Sequence, residues 1–376
     1  MLEIALLRAA TRLASLGLVV LSSAACSSND GDADDVPPPP PSSPLHKGGK
    51  TDAGVVHATD ASTEDDASTS DWFTPLQNAS APLTTPTYDG SGQTVEPTVL
   101  YFPRGWGGHS YWMAVSPYPG GNAAFENPSI LVSEDGLSWS VPDGLTNPLD
   151  TPADGTLADA TLVHDSVTNQ LWVYYLHEVD ADAGPWEELL RTTSPDGIHW
   201  SPSTRVLEGE LFPAESPSVM RMPQGFAMWS VEFGAKGCTT SASRVTERLS
   251  VDGVHWAQPI DLGLGIPGWV AWHINVSRVP GTSRLLAAIT AFPTGTSCNH
   301  TSLFLAYTTD SGSWVAVPKA LLGPGKRGAW DDYSIYRSSL LYDAEHERLR
   351  LWYSARHSGT NAWHVGYTEG SLLLPP

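Results

Sequence analysis

From about residue 70 onward, short apolar runs alternate with turn residues, and one seven-residue pattern recurs. A Ser or Thr, an Asp, a Gly and a Trp keep fixed positions in it, as in the segment from Ser133 to Trp139. The pattern returns around Asp196 and Asp252 and, in degraded form, around Asp310, so that its Asp residues lie 61, 56 and 58 positions apart. An Asp-Gly turn between apolar runs predicts a β-hairpin. The Trp that follows is expected to begin the next strand and to pack between neighbouring sheets.

Two more apolar segments precede each turn, and we interpret them as the first and second strands of a repeated unit. The first strands are predicted at residues 96–102, 159–164, 215–220, 273–277 and 336–342, and the second strands at 111–115, 171–176, 226–229, 285–289 and 349–353. Four strands per unit at a period of about 60 residues are typical of a β-propeller, and five first strands predict five blades.

The last unit ends at residues 365–368 without a turn and Trp of its own. Residues 71–75 have the composition of an outer strand, and we predict that they complete blade five. Strands from both ends of the chain then close the ring and remove exposed sheet edges. The predicted fold is an all-β, five-bladed β-propeller over residues 71–376, with four antiparallel strands per blade.

The N-terminus predicts export. Two basic residues are followed by an apolar run and then by small residues: Arg8, Arg12, 13–21 and 22–25. This order is typical of a signal peptide, here residues 1–25. Cys26 comes next, and the arrangement resembles the lipobox of bacterial lipoproteins, which implies that Cys26 carries the lipid. Ordinary signal-peptide cleavage with a passenger cysteine is the alternative.

Residues 26–70 predict a disordered tether behind that anchor. The stretch contains five consecutive prolines, 37–41, many small and acidic residues, and almost no aliphatic or aromatic residues. Such a composition cannot build a core and extends by self-repulsion. We therefore expect a monomer that is lipid-anchored to the cell envelope, at the outer membrane or the cell surface, with its folded domain held away from the membrane.

The net charge of the chain limits the kinds of partner that it is expected to bind. The 376-residue chain has 41 acidic and 20 basic residues and a net charge of −21, which argues against binding to nucleic acid or to anionic lipid surfaces.

Apart from Cys26 there are two cysteines, Cys238 and Cys298. In an exported protein they predict a disulfide, and they fall in equivalent loops of adjacent blades. Two free thiols are the alternative.

The first strands bring polar residues to one place. In a propeller these strands line the central channel, and their opening residues here are Glu96, Asp159, Glu215, His273 and the Tyr336–Arg337 pair. We expect them to converge on one funnel. Two acids on either side of a sugar are the minimum for glycoside hydrolysis, because one protonates the leaving oxygen and the other activates water or attacks.

The segment Glu215-Ser-Pro-Ser-Val, the run from Gly225 to Ser230 and the acids that open blades one to three resemble the five-bladed glycoside hydrolases of family 43 and its relatives. The resemblance implies Glu215 as the catalytic acid, Asp159 as the residue that tunes it, and Glu96 as the base of an inverting enzyme. Glu96 stands where that family has Asp, which adds a methylene to the predicted base.

Other residues are predicted to bind substrate. His273 lines the site or holds a channel ion or water, and Arg337 clamps a substrate or neutralises the acids. The loops of the same face are expected to contribute Glu126, Asn127, Trp186, Trp330, Asp332 and Trp363. Aromatic rings beside polar groups suit sugar binding. No cofactor and no catalytic metal are predicted, apart from a channel Ca²⁺ or water.

Three functions remain open from the sequence. The leading one is an exported glycoside hydrolase that acts on a poly- or oligosaccharide. The second is a non-catalytic glycan-binding lipoprotein that has lost its base. The third is a sialidase-like enzyme, which is disfavoured because Arg337 is the one plausible member of the Arg cluster that such enzymes need. No nucleotide-binding loop, zinc-type Cys/His spacing or Gly-x-Ser-x-Gly motif occurs.

Overall fold

The computed structural model describes residues 73–181, 184–210 and 215–374. The predictions for residues 1–72, namely the signal peptide, the lipid anchor at Cys26 and the tether at 26–70, lie outside the described residues. No helix in the described ranges is long and apolar enough to cross a membrane.

The described chain forms five antiparallel sheets, which confirms the predicted five-bladed propeller. Blade one contains β1 (Thr94–Trp106), β2 (His109–Pro117) and β3 (Ser129–Ser133). Blade two contains β4 (Thr156–Asp165), β5 (Gln170–Ala181), β6 (Gly184–Ser194) and β7 (Thr204–Glu210). Blade three contains β8 (Glu215–Met222), β9 (Gly225–Glu232), β10 (Arg244–Ser250) and β11 (Ile260–Asp261).

Blade four contains β12 (Trp269–Arg278), β13 (Leu285–Pro293), β14 (Ser302–Thr308) and β15 (Trp314–Leu322). Blade five contains β16 (Ser334–Asp343), β17 (Arg348–Arg356) and β18 (Trp363–Ser371). Short 3₁₀ turns cover Pro119–Gly121, Ala123–Phe125 and Gly234–Thr239. The first strand of each blade contacts the first strand of the next, so that β1, β4, β8, β12 and β16 form a closed ring around the channel.

Blades one and five have three strands each, and single bridges extend them. In blade one the bridge joins Val132 to Ser140. In blade five Phe73 bridges Leu372, which directly follows β18. The N-terminal segment continues beside the last blade, because the amide of Leu83 donates to the carbonyl of Val365 at 2.8 Å. The predicted closure by both chain ends is confirmed, although a single bridge takes the place of a full strand.

Large aromatic side chains from the second strands join one blade to the next. Trp112 of β2 lies against Gly197, the glycine of the Asp-Gly turn in blade two, and a Cβ at Gly197 would meet the Trp112 ring at 2.1 Å. Gly197 also has φ +80°, which other residues adopt at a cost. Trp352 of β17 packs in the same way on Gly136 of blade one and donates its indole N–H to the Gly136 carbonyl at 2.7 Å. In both cases the glycine of the recurring turn leaves space for an aromatic ring of the preceding blade.

The Asp side chain of each turn accepts hydrogen bonds from backbone amides of the same turn and so stabilises it. Asp135 Oδ1 accepts the amides of Leu137 and Ser138, both at 2.7 Å. These hydrogen bonds to backbone amides lower the pKa of Asp135 to about 2. Asp196 and Asp252 make the equivalent bonds. The turns follow the ends of the third strands, at the opposite end of the blades from the channel openings, and serve architecture.

The predicted disulfide is confirmed. Cys238 and Cys298 are bonded, with their Cα atoms 4.9 Å apart. Cys238 lies in the 3₁₀ turn between β9 and β10, and Cys298 lies between β13 and β14. The bond therefore links equivalent loops of blades three and four, as the repeat predicted.

Candidate active site

The inner strands carry a β-bulge where they open, and the bulges place the candidate acids. The register of β1 shifts between Val95 and Thr98, and that of β4 shifts between Ala158 and Thr161. At the bulges Glu96 and Asp159 adopt left-handed backbone, with φ values of 60° and 56°. Such a conformation costs roughly 1–3 kcal/mol outside glycine and is concentrated at functional sites.

Blade three shows a one-residue offset that the sequence did not reveal. There the left-handed residue is Ser216, with φ 55°, and Glu215 precedes it. Ser216 is therefore the structural equivalent of Glu96 and Asp159, and the Glu215 side chain leaves the strand at a different position. This offset explains how three acids share the funnel without occupying equivalent points around it.

Hydrogen bonds between blades hold the openings together. The Asp159 amide donates to Glu96 Oε2 at 2.8 Å, and the Ser216 amide donates to Asp159 Oδ2 at 2.9 Å. The Ile274 amide then donates to Ser216 Oγ at 3.2 Å. Blades one, two and three thus each present a side-chain acceptor to the next blade. Glu96, Asp159 and Glu215 meet in one buried cluster.

Arg337 reaches the same cluster from blade five. Its side chain is 0% exposed, and Nη1 donates to Asp159 Oδ1 at 3.1 Å. Nη1 also lies 3.4 Å from the carbonyl oxygen of Ala160, and Nη2 donates to the carbonyl of Pro217 at 2.7 Å. The guanidinium therefore binds groups from blades two and three.

Burial and mutual repulsion raise the pKa of most acids in the cluster. Burial raises the pKa of Glu215 well above its usual value, and the charges of Asp159 and of other acids add to the effect. Burial likewise raises the pKa of Glu96 and Glu126, with repulsion from Asp159 contributing to both. Hydrogen bonding to Glu96 makes a smaller contribution to the raised pKa of Glu126. The site therefore holds carboxyl groups that keep their protons at pH values where an ordinary Glu is ionised.

Asp159 behaves in the opposite way. Burial acts to raise its pKa, but the Arg337 charge, the nearby His273 and hydrogen bonds from Glu96 and the Ser216 amide together lower it. Asp159 is therefore the ionised member of the cluster. One ionised acid among protonated ones is a division of roles that is typical of catalytic sites.

His273 completes a group that could hold a metal ion. Burial lowers the pKa of its imidazole to about 4, so that the ring is neutral near pH 7. One ligand atom from each of Asp159, Glu215 and His273 lies within 4.8 Å of the others. His273 Nδ1 lies 3.7 Å from Asp159 Oδ1. Two ligands bound at about 2.1 Å to one cation are roughly 3.0–3.4 Å apart, so a small adjustment brings the three into coordination distance.

Two predicted loop residues belong to the wall of the site. Glu126 is buried beside Glu96, with 2% of its surface exposed. Trp363 is buried between two tyrosines, with its ring centroid 5.5 Å from Tyr118 and 5.3 Å from Tyr336. Tyr336 in turn lies 4.3 Å from the His273 ring. Aromatic rings thus line the site on the side of blades one and five.

Four other residues that were predicted to bind substrate make their described contacts outside the acid cluster. Asn127 donates to the Tyr88 hydroxyl at 2.8 Å. The indole of Trp330 donates to the Ala79 carbonyl and so holds the N-terminal segment. Asp332 accepts the amides of Gly328 and Ser358 and joins two loops. Trp186 lies in β6 opposite Val179.

Sequence reasoning missed Glu178 and Glu187. They face each other across β5 and β6, Glu187 is completely buried, and the charges of both act on Glu215. The predicted second strand of blade two ended before them, at residue 176, so the pattern gave no reason to place them near the funnel.

Solved glycoside hydrolases share this fold. A thermostable family-43 glycoside hydrolase has the same fold, with a TM-score of 0.53, 12% identity, and 78% of this chain and 98% of that chain covered. The resemblance to five-bladed glycoside hydrolases is thereby confirmed for the fold. No protein-family model matches the chain.

Two comparisons lead to one particular relative, from Flavonifractor plautii. The chain is 29% identical over 328 residues to an A type blood N-acetyl-alpha-D-galactosamine deacetylase, covering 75% of this chain. It spans 42% of the length of that relative. The crystal structure of an N-acetylgalactosamine deacetylase from F. plautii, in complex with blood group B trisaccharide, matches with a TM-score of 0.71 and 26% identity over 79% of this chain and 95% of that chain. The proteins that this chain resembles therefore act on or bind carbohydrates.

Proposed function

We propose that the protein removes the acetyl group from an N-acetylated amino sugar in a glycan, with a divalent cation held by Asp159, Glu215 and His273. The observation that carries the proposal is the convergence of these three side chains, from three different blades, within 4.8 Å. The similarity to the F. plautii deacetylase, at 29% identity and a TM-score of 0.71, supports it further.

The donor set fits a cation. Glu215 Oε2 and both ring nitrogens of His273 are buried, and none has a hydrogen-bond partner among the residues that the structure describes. Buried polar atoms are almost always bonded, so Glu215 Oε2 and one ring nitrogen of His273 are available to bind a cation. One imidazole and two carboxylates form a nitrogen–oxygen set that suits zinc and similar divalent metals.

The protonation states of two of the three ligands also fit. Neutral His273 and ionised Asp159 are in the forms that metal ligation requires, whereas Glu215, whose pKa is raised by burial, would release its proton when the cation binds. When bound, such a cation supplies Lewis-acid polarisation of the amide carbonyl. The raised pKa of Glu96 and Glu126 keeps protons beside the site, where a departing amine nitrogen needs one.

Glycoside hydrolysis, the function that the sequence favoured, is the second candidate. The raised pKa of Glu215 and the unpartnered Oε2 suit a general acid. The base is the weak point, because Glu96 Oε2 already accepts from the Asp159 amide and lies 3.3 Å from the Ser116 hydroxyl. Its raised pKa also opposes the ionised form that a base must have. An inverting mechanism through Glu96 is therefore the less favoured proposal.

The place of action is part of the proposal. A signal peptide at residues 1–25, a lipid on Cys26 and an acidic tether would expose the propeller to glycans outside the cell. Metabolic labelling with a fatty-acid analogue tests the anchor: label is expected on the native protein and absent from Cys26→Ser.

The function is tested on oligosaccharides that end in α-linked N-acetylgalactosamine or in N-acetylglucosamine. Released acetate and cleaved glycosidic bonds are measured in the same reaction by mass spectrometry. We expect acetate release that stops on chelation and returns with added zinc, manganese or cobalt. Glycosidic cleavage that survives chelation would support the second candidate. If neither acetate nor a cleaved glycosidic bond is detected, both enzymatic functions are contradicted, and glycan binding is the function that remains.

Matched variants locate the activity. His273→Gln and Asp159→Asn are expected to lose acetate release. His199→Gln and Asp310→Asn change the same residue types at exposed positions far from the funnel and are expected to act like the native protein. Full activity of His273→Gln would remove the proposed metal site from the reaction.

A further inference from the structure

Arg337 is a charge buried at a cost that stability alone does not explain. The guanidinium is completely excluded from solvent, and its Nε–H has no hydrogen-bond partner in the described parts of the chain. Burying an ion pair often contributes nothing net to stability, because desolvation offsets the attraction. A buried, incompletely satisfied arginine at the floor of a functional site therefore points to a role in that site.

The directions of its donors show what Arg337 holds. Nη1 contacts Asp159 Oδ1 at 3.1 Å, and Nη2 contacts the Pro217 carbonyl at 2.7 Å. One planar group from blade five thus fixes a side chain of blade two relative to the backbone of blade three. A fork of this kind sets direction as well as distance, whereas the ammonium of lysine is a point charge.

Asp159 is a residue that needs such fixing. Its backbone is left-handed, and its carboxylate is held from two sides, by Arg337 on Oδ1 and by the Ser216 amide on Oδ2. Two donors on different oxygens fix the plane of a carboxylate. Oδ1 is also the atom that lies 3.7 Å from His273 Nδ1. The oxygen that Arg337 grips is therefore the one that faces the other candidate ligand.

We propose that Arg337 is a positioning residue that orients the Asp159 carboxylate for a divalent cation, and that it acts through the fork of the guanidinium as well as through its charge. The inference rests on the proposed metal site. It does not require that the reaction be deacetylation. It also goes beyond the two roles expected from the sequence, in which Arg337 clamps the substrate or neutralises the acids.

The test is metal affinity, measured without substrate by isothermal titration of zinc or manganese into the chelator-treated protein. Arg337→Lys keeps the charge and removes the fork. Partners of metal ligands typically contribute 10–100-fold to affinity, so we expect Arg337→Lys to bind the metal at least about tenfold more weakly. Arg248→Lys is the matched control, because Arg248 is also buried and contacts Glu232 at 3.1 Å in blade three. Its metal affinity is expected to equal that of the native protein.

A second variant guards against a folding defect. Arg337→Ala is expected to lose metal binding and to regain part of it when guanidinium is added at non-denaturing concentration, while added ammonium restores nothing. In the acetate assay, Arg337→Lys is expected to lower kcat and to leave KM nearly unchanged, since Arg337 does not contact the sugar.

The outcomes separate the two proposals. Native metal affinity in a folded Arg337→Lys would overturn the positioning role, and so would rescue of Arg337→Ala by ammonium and guanidinium alike. Weakened metal binding in Arg337→Lys, together with no acetate release by the native protein, would support the positioning role and contradict the deacetylase. Absence of metal binding by the native protein would overturn both.

Discussion

The substitution Asp159→Asn tests whether the buried cluster is held by charge. The side chain keeps its size, but an amide cannot accept from Arg337 on one oxygen and from the Ser216 amide on the other. One of these donors then faces the amide NH₂ group, and Arg337 loses its counter-ion in a fully buried place. Breaking a buried pair by removing one partner costs about 3–5 kcal/mol.

The loss is large enough to measure directly. For a domain of this size about 1 kcal/mol lowers the unfolding temperature by roughly 2–4 °C, so a decrease on the order of 10 °C is expected. Chemical denaturation of the metal-free protein and calorimetry provide the two assays. Asp310→Asn is the control, because the Asp310 side chain is 82% exposed and 3.9 Å from its nearest cation. An Asp159→Asn protein that unfolds within about 2 °C of the native one would refute the account of the Asp159–Arg337 pair.

Three further outcomes are expected. His273→Phe should abolish metal binding and leave the unfolding temperature of the metal-free protein unchanged or higher, because neither ring nitrogen has a partner to lose within the described chain. A clear loss of stability by calorimetry would contradict the absence of polar partners for the ring. Gly197→Ala should reduce soluble yield strongly, since its Cβ would lie 2.1 Å from the Trp112 ring. Gly312→Ala is the control, because Gly312 has φ +85° and no atom within 4 Å of the added Cβ, and it should lower the free energy of unfolding by only about 1–2 kcal/mol in a urea titration. Equal stability of the two variants would contradict the role of the turn. The metal-free protein should lose stability as the pH rises from about 5 to 8, because Glu96, Glu126 and Glu215 have raised pKa values and bind protons more tightly folded than unfolded; a rise in denaturation midpoint over that range would contradict the protonated cluster.

The repeat predicted most of the architecture because its signals are local. An Asp-Gly turn and its Trp lie within seven residues, and they recur at a spacing that no compact single sheet would produce. The five inner strands and the closing segment followed from that spacing. The bond between Cys238 and Cys298 followed first from the export signal, and the repeat supported it by placing both residues in equivalent loops. The packing partner of each turn glycine did not follow from it, since Trp112 and Gly197 meet only after two blades are in place.

The site was predicted in composition but not in geometry. The convergence of Glu96, Asp159 and Glu215 follows from their positions at strand openings. The bulge that sets Glu215 one residue before its equivalents depends on hydrogen bonds between blades, such as that from the Ser216 amide to Asp159, 57 positions away. The burial of Arg337, which contacts a residue 178 positions distant, is likewise invisible in a local pattern. The position of His273 beside Asp159 and Glu215 likewise depends on contacts between blades and not on a local sequence pattern.

The proposed function requires that Asp159, Glu215 and His273 bind one divalent cation. It is tested most directly by anomalous diffraction from crystals of the protein soaked with zinc or manganese, recorded on both sides of the metal absorption edge. We expect one strong peak in each propeller, about 2.1 Å from a carboxylate oxygen of each acid and from a nitrogen of His273. Fully occupied peaks elsewhere, with none between these three residues, would contradict it.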